Sequence, residues 1–195
     1  MKPLYDFIVH IPNRFKNEYT IGNLKLERDH RWDEFKDRIS YGEIKATPEK
    51  FDTIAEIGDT LVFHHHVNQQ PDKYGMGDDH YMVTYQPNEM ACQAIACIKA
   101  DGEVHMLSDW IFLDAPEAKK QEKSTDSGLF LGIAEEDTIN DRAEVYCEGA
   151  GTQELGIRKG DKVVFTDGAD YRIVLPNGDN VFRMRPMNLL YVIES

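Results

Sequence analysis

The sequence predicts an all-β protein made of two tandem small β-barrels with flexible loops. Three observations favour this fold class: short apolar runs bounded by turn residues, weak helical periodicity outside residues 31–39, and a repeat with a spacing of about 102 residues. The runs are rich in Val, Ile, Phe and Tyr, which are common in strands. Asp-Gly and Asn-Gly steps predict hairpin turns at residues 166–168 and 176–179. Strands are predicted over residues 7–11, 60–66, 80–85, 109–113, 162–165, 171–175 and 189–193.

The repeat consists of three short motifs that occur in the same order in both halves of the chain. The matched segments are residues 4–9 with 107–112, 42–44 with 143–145, and 58–63 with 160–165. Because all three pairs have nearly the same spacing, they indicate a duplicated module. The Asp101-Gly102 step is a turn signal and marks the boundary. The sequence therefore predicts one module over residues 1–105 and a second over residues 106–195.

The composition excludes several classes of protein. The chain has 22 Lys and Arg against 35 Asp and Glu, a net charge of -13, which repels nucleic acid and anionic lipid. No apolar run approaches the roughly 18 residues of a spanning helix, and the first residues lack a signal-peptide pattern. The three cysteines are an odd number, which favours reduced thiols. We therefore expect a cytoplasmic protein that binds neither nucleic acid nor membranes.

A polar segment in the second half, residues 118–128, does not fit the strand pattern. It is rich in Lys, Ser, Gln and Glu, and the apolar triplet Leu129, Phe130 and Leu131 follows it. A polar segment that carries an isolated apolar triplet indicates a recognition loop. An edge strand that packs on its own barrel fits the pattern equally well.

The second half resembles a subunit of the chaperonin-10 (GroES-type) co-chaperonin family over residues 107–195. The matching motifs are Leu-Ser-Asp at 107–109, similar to the family's opening Leu-His-Asp, Gly-Leu-Phe-Leu at 128–131, similar to its Gly-Ile-Val-Leu mobile-loop motif, and Gly-Asp-Lys-Val at 160–163, similar to its Gly-Asp-x-Val strand. Residues 148–156 are too few for the roof hairpin of many bacterial members. In this respect the chain is similar to some bacteriophage-encoded co-chaperonins.

The first half resembles the same family more faintly. Its opening residues 4–6 and its Gly-Asp strand at 58–63 fit, but Lys25 stands between Leu24 and Leu26 where the apolar triplet would be. A charged insertion, residues 28–38, follows. The first module is therefore predicted to be degenerate, with a lost or altered binding role.

The resemblance implies a homo-oligomeric ring, a heptamer in that family, that caps a GroEL-type chaperonin and encloses substrate proteins. The chaperonin, in the cytoplasm of a bacterium or of a phage host, would bind the ATP. Each mobile loop would insert its apolar residues into a groove of the chaperonin. The predicted chaperonin-binding residues are Gly128, Leu129, Phe130 and Leu131, with Leu24 and Leu26 as degenerate counterparts.

A run of three histidines supports a different hypothesis, a metal-binding β-barrel protein or enzyme. His64 and His66 would lie on one face of a strand, where two imidazoles can share an ion. A third ligand would come from Asp78, Asp79 or His80. A viral structural protein that reuses the barrel is a further alternative. The sequence has no nucleophile elbow, phosphate loop or dinucleotide fingerprint, so we expect no enzymatic activity and no cofactor. No spacing motif requires a third ligand beside the histidine pair, so we expect no resident metal.

Overall fold

The chain divides into two compact units, Met1–Asp109 and Trp110–Ser195. Both consist mainly of antiparallel strands, which confirms the all-β prediction. In the part of the chain that the structure describes, no helix is long and apolar enough to cross a membrane. The computed structural model describes residues 2–11, 18–22, 24–27, 39–87, 89–116, 120–124, 130–135 and 141–193.

The first unit contains one seven-stranded antiparallel sheet and one separate two-stranded ribbon. Its strands are β1 (Asp6–His10), β2 (Glu18–Ile21), β3 (Leu24–Glu27), β4 (Tyr41–Ala46), β5 (Thr60–Phe63), β6 (Gly75–Gly77), β7 (His80–Thr84), β8 (Ala94–Ile98) and β9 (Val104–Met106). The order in the sheet is β6-β7-β1-β4-β5-β8-β9, and β2 pairs with β3. Two short helices, α1 (His66–Gln69) and α2 (Pro71–Tyr74), follow β5.

The second unit contains a six-stranded antiparallel sheet and its own two-stranded ribbon. Its strands are β10 (Ile111–Asp114), β11 (Lys120–Ser124), β12 (Phe130–Glu135), β13 (Arg142–Cys147), β14 (Lys162–Phe165), β15 (Tyr171–Val174), β16 (Asn180–Met184) and β17 (Leu189–Ile193). The order is β15-β16-β10-β13-β14-β17, and β11 pairs with β12. A short helix, α3 (Ala150–Glu154), lies between β13 and β14, and a 3-10 turn (Pro186–Asn188) precedes β17.

The two sheets share one topology. Six strands of the first unit, in the order β6-β7-β1-β4-β5-β8, correspond one for one to the six strands of the second. In each unit the ribbon is inserted between the first and second sheet strands of the chain, after β1 and after β10. The first unit has one additional strand, β9, which lies along β8.

A tight turn before β5 recurs before β14 with the same backbone hydrogen bonds. The Gly58 N–H donates to the Ile44 carbonyl at 2.9 Å, and the Gly160 N–H donates to the Val145 carbonyl at 2.9 Å. Both glycines have positive φ angles, 98° and 90°, a conformation that glycine adopts without steric cost. The repeated Gly-Asp motif of the sequence therefore corresponds to one turn geometry that occurs twice.

Each unit has its own apolar core. In the first, Phe7 and Val9 are two positions apart on β1, so both face the same core, where Phe63 of β5 is also fully buried. In the second, Val163 and Phe165 are alternate residues of β14 and are buried in the same way. Alternation with period two thus positions the core residues in both units.

The division between the units falls at Asp109 and Trp110, whereas the sequence boundary was placed after residue 105. The reason is strand β9, which pairs with β8 and so belongs to the first unit. Leu107, which follows β9, is buried in the first unit's core. Ser108 also contacts the first unit, since its Oγ donates to the Ala94 carbonyl at 3.3 Å. Two residues of the Leu-Ser-Asp motif therefore belong to the first unit, although the sequence predicts that this motif begins the second module.

One of the two predicted hairpin turns is present and the other is wrong. The turn at 176–179 joins β15 to β16: Gly178 has a φ of 93°, and the Asp179 N–H donates to the Asn177 side chain at 3.0 Å. A turn also exists at 166–168, where the Ala169 N–H donates to the Thr166 carbonyl at 3.1 Å. It is not a hairpin, because β14 is already paired on both edges with β13 and β17, so β15 must cross to β16.

Two other segments differ from the sequence predictions or lie outside the described residues. The polar segment 118–128 was predicted to be no strand, yet residues Lys120–Ser124 form β11. This strand pairs only with β12, in a two-stranded ribbon outside the six-stranded sheet. The predicted helical segment 31–39 lies outside the described residues apart from Ile39.

Candidate functional site

The predicted chaperonin-binding triplet lies at the start of strand β12 in the ribbon of the second unit. Phe130 and Leu131 are the first two residues of this strand, and Gly128 and Leu129 lie outside the described residues. Ser124 of β11 pairs with Phe130, and the preceding residue, Lys123, pairs with Gly132. Leu131 lies between these two pairs and is therefore the extra residue of a β-bulge. Within the described residues, the ribbon forms a sheet of its own and pairs with neither edge of the six-stranded sheet. Phe130 and Leu131 are therefore not part of an edge strand of that sheet.

The ribbon of the first unit contains the two residues predicted as degenerate counterparts. Leu24 and Leu26 lie on β3, where they pair with Ile21 and Tyr19 of β2. They are alternate positions of the strand, with Lys25 between them. Leu24 is 59% exposed.

The three histidines do not lie on a strand, so the strand predicted over 60–66 is wrong at its end. Strand β5 ends at Phe63, and the chain then turns into α1. The His64 N–H donates to the Gln93 carbonyl at 3.0 Å, and the Val67 N–H donates to the His64 carbonyl at 3.1 Å. Val67 is fully buried in the first core. The turn is what brings this apolar side chain back onto the core.

The turn brings all three imidazole rings together. The ring centroids of His64 and His65 are 4.7 Å apart, and His66 lies 4.4 Å from each of them. One nitrogen from each ring can be chosen so that all lie within 4.8 Å of one another. His65 is only 5% exposed, whereas His66 is exposed. The sequence argument from alternate strand positions missed His65, because it holds only for an extended chain.

The third ligand predicted for this cluster is wrong. Among the described residues, the group that could hold an ion comprises the three consecutive histidines and none of Asp78, Asp79 and His80. His80 instead contacts His10, with ring centroids 5.0 Å apart, and its Nδ1 lies 2.8 Å from the Asp78 carbonyl. The reason is that His80 begins β7, which pairs with β1 and not with β5.

The exposed position of strand β17 at the edge of its sheet is a feature that the sequence did not predict. Four residues of β17 are exposed, with Tyr191 at 61%, although the run Leu-Leu-Tyr-Val-Ile has the pattern of a buried strand. Strand β17 is the last strand of its sheet, and β14 is its only partner among the strands that the structure describes. An exposed apolar edge offers unpaired backbone groups to another strand. No local signal in the sequence distinguishes such an edge from a central strand.

Comparison with known proteins assigns no family to this chain. No protein-family model matches it, and no curated protein matches its sequence. The features of the chain that bear on function are therefore the motifs, the two ribbons and the exposed edge strand.

Proposed function

We propose that this chain is a co-chaperonin of the chaperonin-10 (GroES-type) kind, which caps a GroEL-type chaperonin and encloses substrate proteins. The observation that carries the proposal is the ribbon of β11 and β12. It is an insertion between two strands of the sheet, and its second strand begins with Phe130 and Leu131. In the part of the chain that the structure describes, it pairs with neither edge of that sheet. An insertion of this kind can bind a partner while the sheet that carries it stays unchanged.

The energetics of the triplet favour weak binding by each ribbon. Burial of Leu129, Phe130 and Leu131 in a groove would contribute roughly 1.5–3 kcal/mol for each side chain. Ordering the backbone around them costs about 1–2 kcal/mol per residue, so a single ribbon binds weakly. Several ribbons held in one ring convert each later contact into an intramolecular event. The cap is then tightly bound as a whole and still able to dissociate.

The exposed edge of β17 supports assembly into a ring. A homo-oligomer needs a surface on each subunit that a second copy covers. Strand β17 offers both unpaired backbone groups and exposed apolar side chains, among them Leu190 and Tyr191. A strand of another copy that pairs with this edge would satisfy the backbone groups and bury the side chains. A sevenfold ring, as in the family that the sequence resembles, would display seven β11–β12 ribbons.

The first unit would contribute a second and weaker contact through Leu24 and Leu26, which are alternate positions of β3 in the other ribbon. The partner chaperonin would bind and hydrolyse the ATP. The site of action would be the cytoplasm of a bacterium or of a phage host, where that chaperonin occurs. The short segment between β13 and β14 holds α3 and no strand, which would leave space under the cap for a bulky substrate.

The central test is the substitution Phe130→Asp. A charge in the triplet would have to be desolvated in an apolar groove, so we expect the variant to lose association with a nucleotide-loaded GroEL-type chaperonin. Co-migration in size-exclusion chromatography measures the association, and circular dichroism checks the fold.

Leu155→Asp is the matched control, because Leu155 is an exposed apolar residue of the same unit outside the ribbon. This variant should still co-migrate with the chaperonin. Undiminished co-migration of Phe130→Asp, or absence of association for the unmodified chain, would contradict the proposal.

A further inference from the structure

The backbone of the three-histidine turn in the first unit is fixed on both sides. The Val67 N–H bonds to the His64 carbonyl at 3.1 Å, and the Gln70 N–H bonds to the His66 carbonyl at 3.2 Å. On the other side, the His64 N–H bonds to the carbonyl of Gln93, next to β8. Because this backbone is held by the sheet and by α1, the three rings converge without a further loss of chain entropy.

Each ring has two nitrogens, so one hydrogen bond does not prevent metal coordination. The His66 N–H donates to Nδ1 of His64 at 3.4 Å, so the proton of the neutral His64 ring is on Nε2. Coordination of an ion therefore uses Nδ1 in place of this long hydrogen bond, or uses Nε2 once the ring proton has moved to Nδ1.

We propose that His64, His65 and His66 form a binding site for one borderline divalent transition-metal ion of the Zn²⁺ class. The site lies in the first unit and is independent of the capping function proposed above.

The donor set selects the class of metal. Three neutral imidazoles suit Zn²⁺, Cu²⁺ and Ni²⁺, whereas Mg²⁺ and Ca²⁺ require oxygen ligands. A Zn–N bond of about 2.0–2.1 Å requires nitrogens that are about 3.3 Å apart in a tetrahedral site. The nitrogens lie within 4.8 Å of one another, so ion binding requires them to approach by no more than about 1.5 Å. Three protein ligands would leave a fourth position for water or an external ligand.

The charge of the chain also favours a cation. The net charge of -13 raises the local concentration of cations around the protein.

The test uses the full chain, purified without a histidine tag and stripped of metal with a chelator. Zn²⁺ is titrated at neutral pH in competition with a chromophoric chelator, and Co²⁺ is titrated as a spectroscopic probe. We expect one ion per chain, and Co²⁺ absorption bands of a four- or five-coordinate nitrogen site. Zn²⁺ should also raise the thermal midpoint of the protein, by an amount that grows with the logarithm of the Zn²⁺ concentration above the Kd.

Two variants and one peptide make the test specific. His66→Gln, which changes an exposed side chain, should weaken Zn²⁺ binding by at least about tenfold and remove the thermal shift. His80→Gln, which removes a histidine of the same unit outside the cluster, should change neither. A peptide of residues 60–70 contains the same three histidines without the fold, and it should bind Zn²⁺ at least about tenfold more weakly than the protein.

Three results would overturn the proposal. One is an affinity of the protein no greater than that of the peptide. Another is an equal effect of His66→Gln and His80→Gln. The third is a Co²⁺ spectrum that remains that of the hydrated ion. None of these results bears on chaperonin capping, which depends on the second unit's ribbon.

Discussion

Strands β8 and β17 occupy equivalent positions in the two sheets, yet their environments are opposite. Both are apolar and both pair antiparallel with the strand that follows the Gly-Asp turn. All five residues of β8 are buried, whereas four of the five residues of β17 are exposed. The difference is strand β9, which lies along the outer edge of β8 and has no counterpart along β17 in the described part of the second unit.

The comparison teaches that burial of an apolar strand depends on its neighbours and not only on its own pattern. In the first unit, the chain after β8 also supplies Lys99, whose Nζ lies 2.9 Å from an Asp59 carboxylate oxygen. The Asp59 side chain is nearly buried. Asp59 accepts a hydrogen bond from the Glu56 N–H at 2.8 Å, and the equivalent Asp161 accepts one from the Arg158 N–H at 2.8 Å. The side chain of Asp161 is more exposed than that of Asp59. The first unit is thus closed at an edge that the second leaves open.

The largest expected effect comes from the same substitution at two equivalent positions. Cys97 of β8 lies opposite Leu61 and is fully buried, whereas Val192 of β17 lies opposite Val163 and is 39% exposed. We expect Cys97→Lys to reduce the free energy of unfolding of the first unit by more than about 4 kcal/mol, because it buries an unpaired charge. Val192→Lys should change that of the second unit by no more than about 0.5 kcal/mol.

Urea denaturation combined with hydrogen exchange of the β5 and β14 amides measures each unit separately. Native mass spectrometry provides a second measurement for Val192→Lys, since a lysine on an edge strand should prevent pairing with another copy. Equal destabilisation by the two substitutions would show that β17 is covered within its own subunit.

A smaller effect is expected at the two turn aspartates. Asp161→Ala removes one hydrogen bond to a backbone N–H and should reduce the free energy of unfolding of the second unit by about 1 kcal/mol. Asp59→Ala removes the matching bond to the Glu56 N–H, at 2.8 Å, and also the contact with Lys99. Asp59→Ala should therefore reduce the free energy of unfolding of its unit more than Asp161→Ala does. The same urea denaturation experiment measures both changes.

The pH dependence of the first unit provides an independent check on the Lys99 contact. The hydrogen bond to Asp59 raises the pKa of Lys99 above its ordinary value, and burial acts in the opposite direction. Because the folded pKa is above the unfolded one, the stabilisation is fully present below about pH 10.4 and is lost as the pH rises through the folded pKa. Lys99→Met should abolish this part of the alkaline loss, and an unchanged profile would disprove the contact's role.

The smallest effect concerns the carboxyl groups on the first strand of each sheet. Burial, with the charges of Glu144 and Asp179, raises the pKa of Asp114. Its charged form therefore costs stability at neutral pH, and the cost disappears below about pH 3.9, where the group is protonated in both states. We expect Asp114→Asn to stabilise the second unit at pH 7 by no more than about 0.5 kcal/mol.

Asp6 of the first unit is the control for this prediction. Burial raises the pKa of Asp6 too, but a hydrogen bond with Thr84 acts in the opposite direction. Like Asp114→Asn, Asp6→Asn should stabilise its unit at pH 7 and not at pH 3, because the raised pKa makes the charged form unfavourable in the folded state. Thermal unfolding at pH 7 and at pH 3 measures both variants, and a gain that stays undiminished at pH 3 would contradict burial of the charge as its cause.

The candidate sites were only partly predictable from the sequence. The apolar residues 129–131 after a polar segment were visible as an unusual pattern, and the structure places Phe130 and Leu131 in a ribbon outside the main sheet. The histidine run was visible too, but its geometry was not. An extended strand would separate His65 from its neighbours, whereas the turn that buries Val67 brings the three rings together.

The sequence by itself determined the features that depend on neighbouring residues along the chain. These are the all-β class, the two Gly-Asp turns, the Asn-Gly hairpin at 176–179 and the alternation that buries residues such as Phe7 and Val9. Only the tertiary structure decided that 166–168 is a crossing turn, that β9 belongs to the first unit, and that β17 is an exposed edge. The physical reason is that strand pairing joins residues far apart in the chain, so the same apolar run is buried or exposed according to what lies beside it.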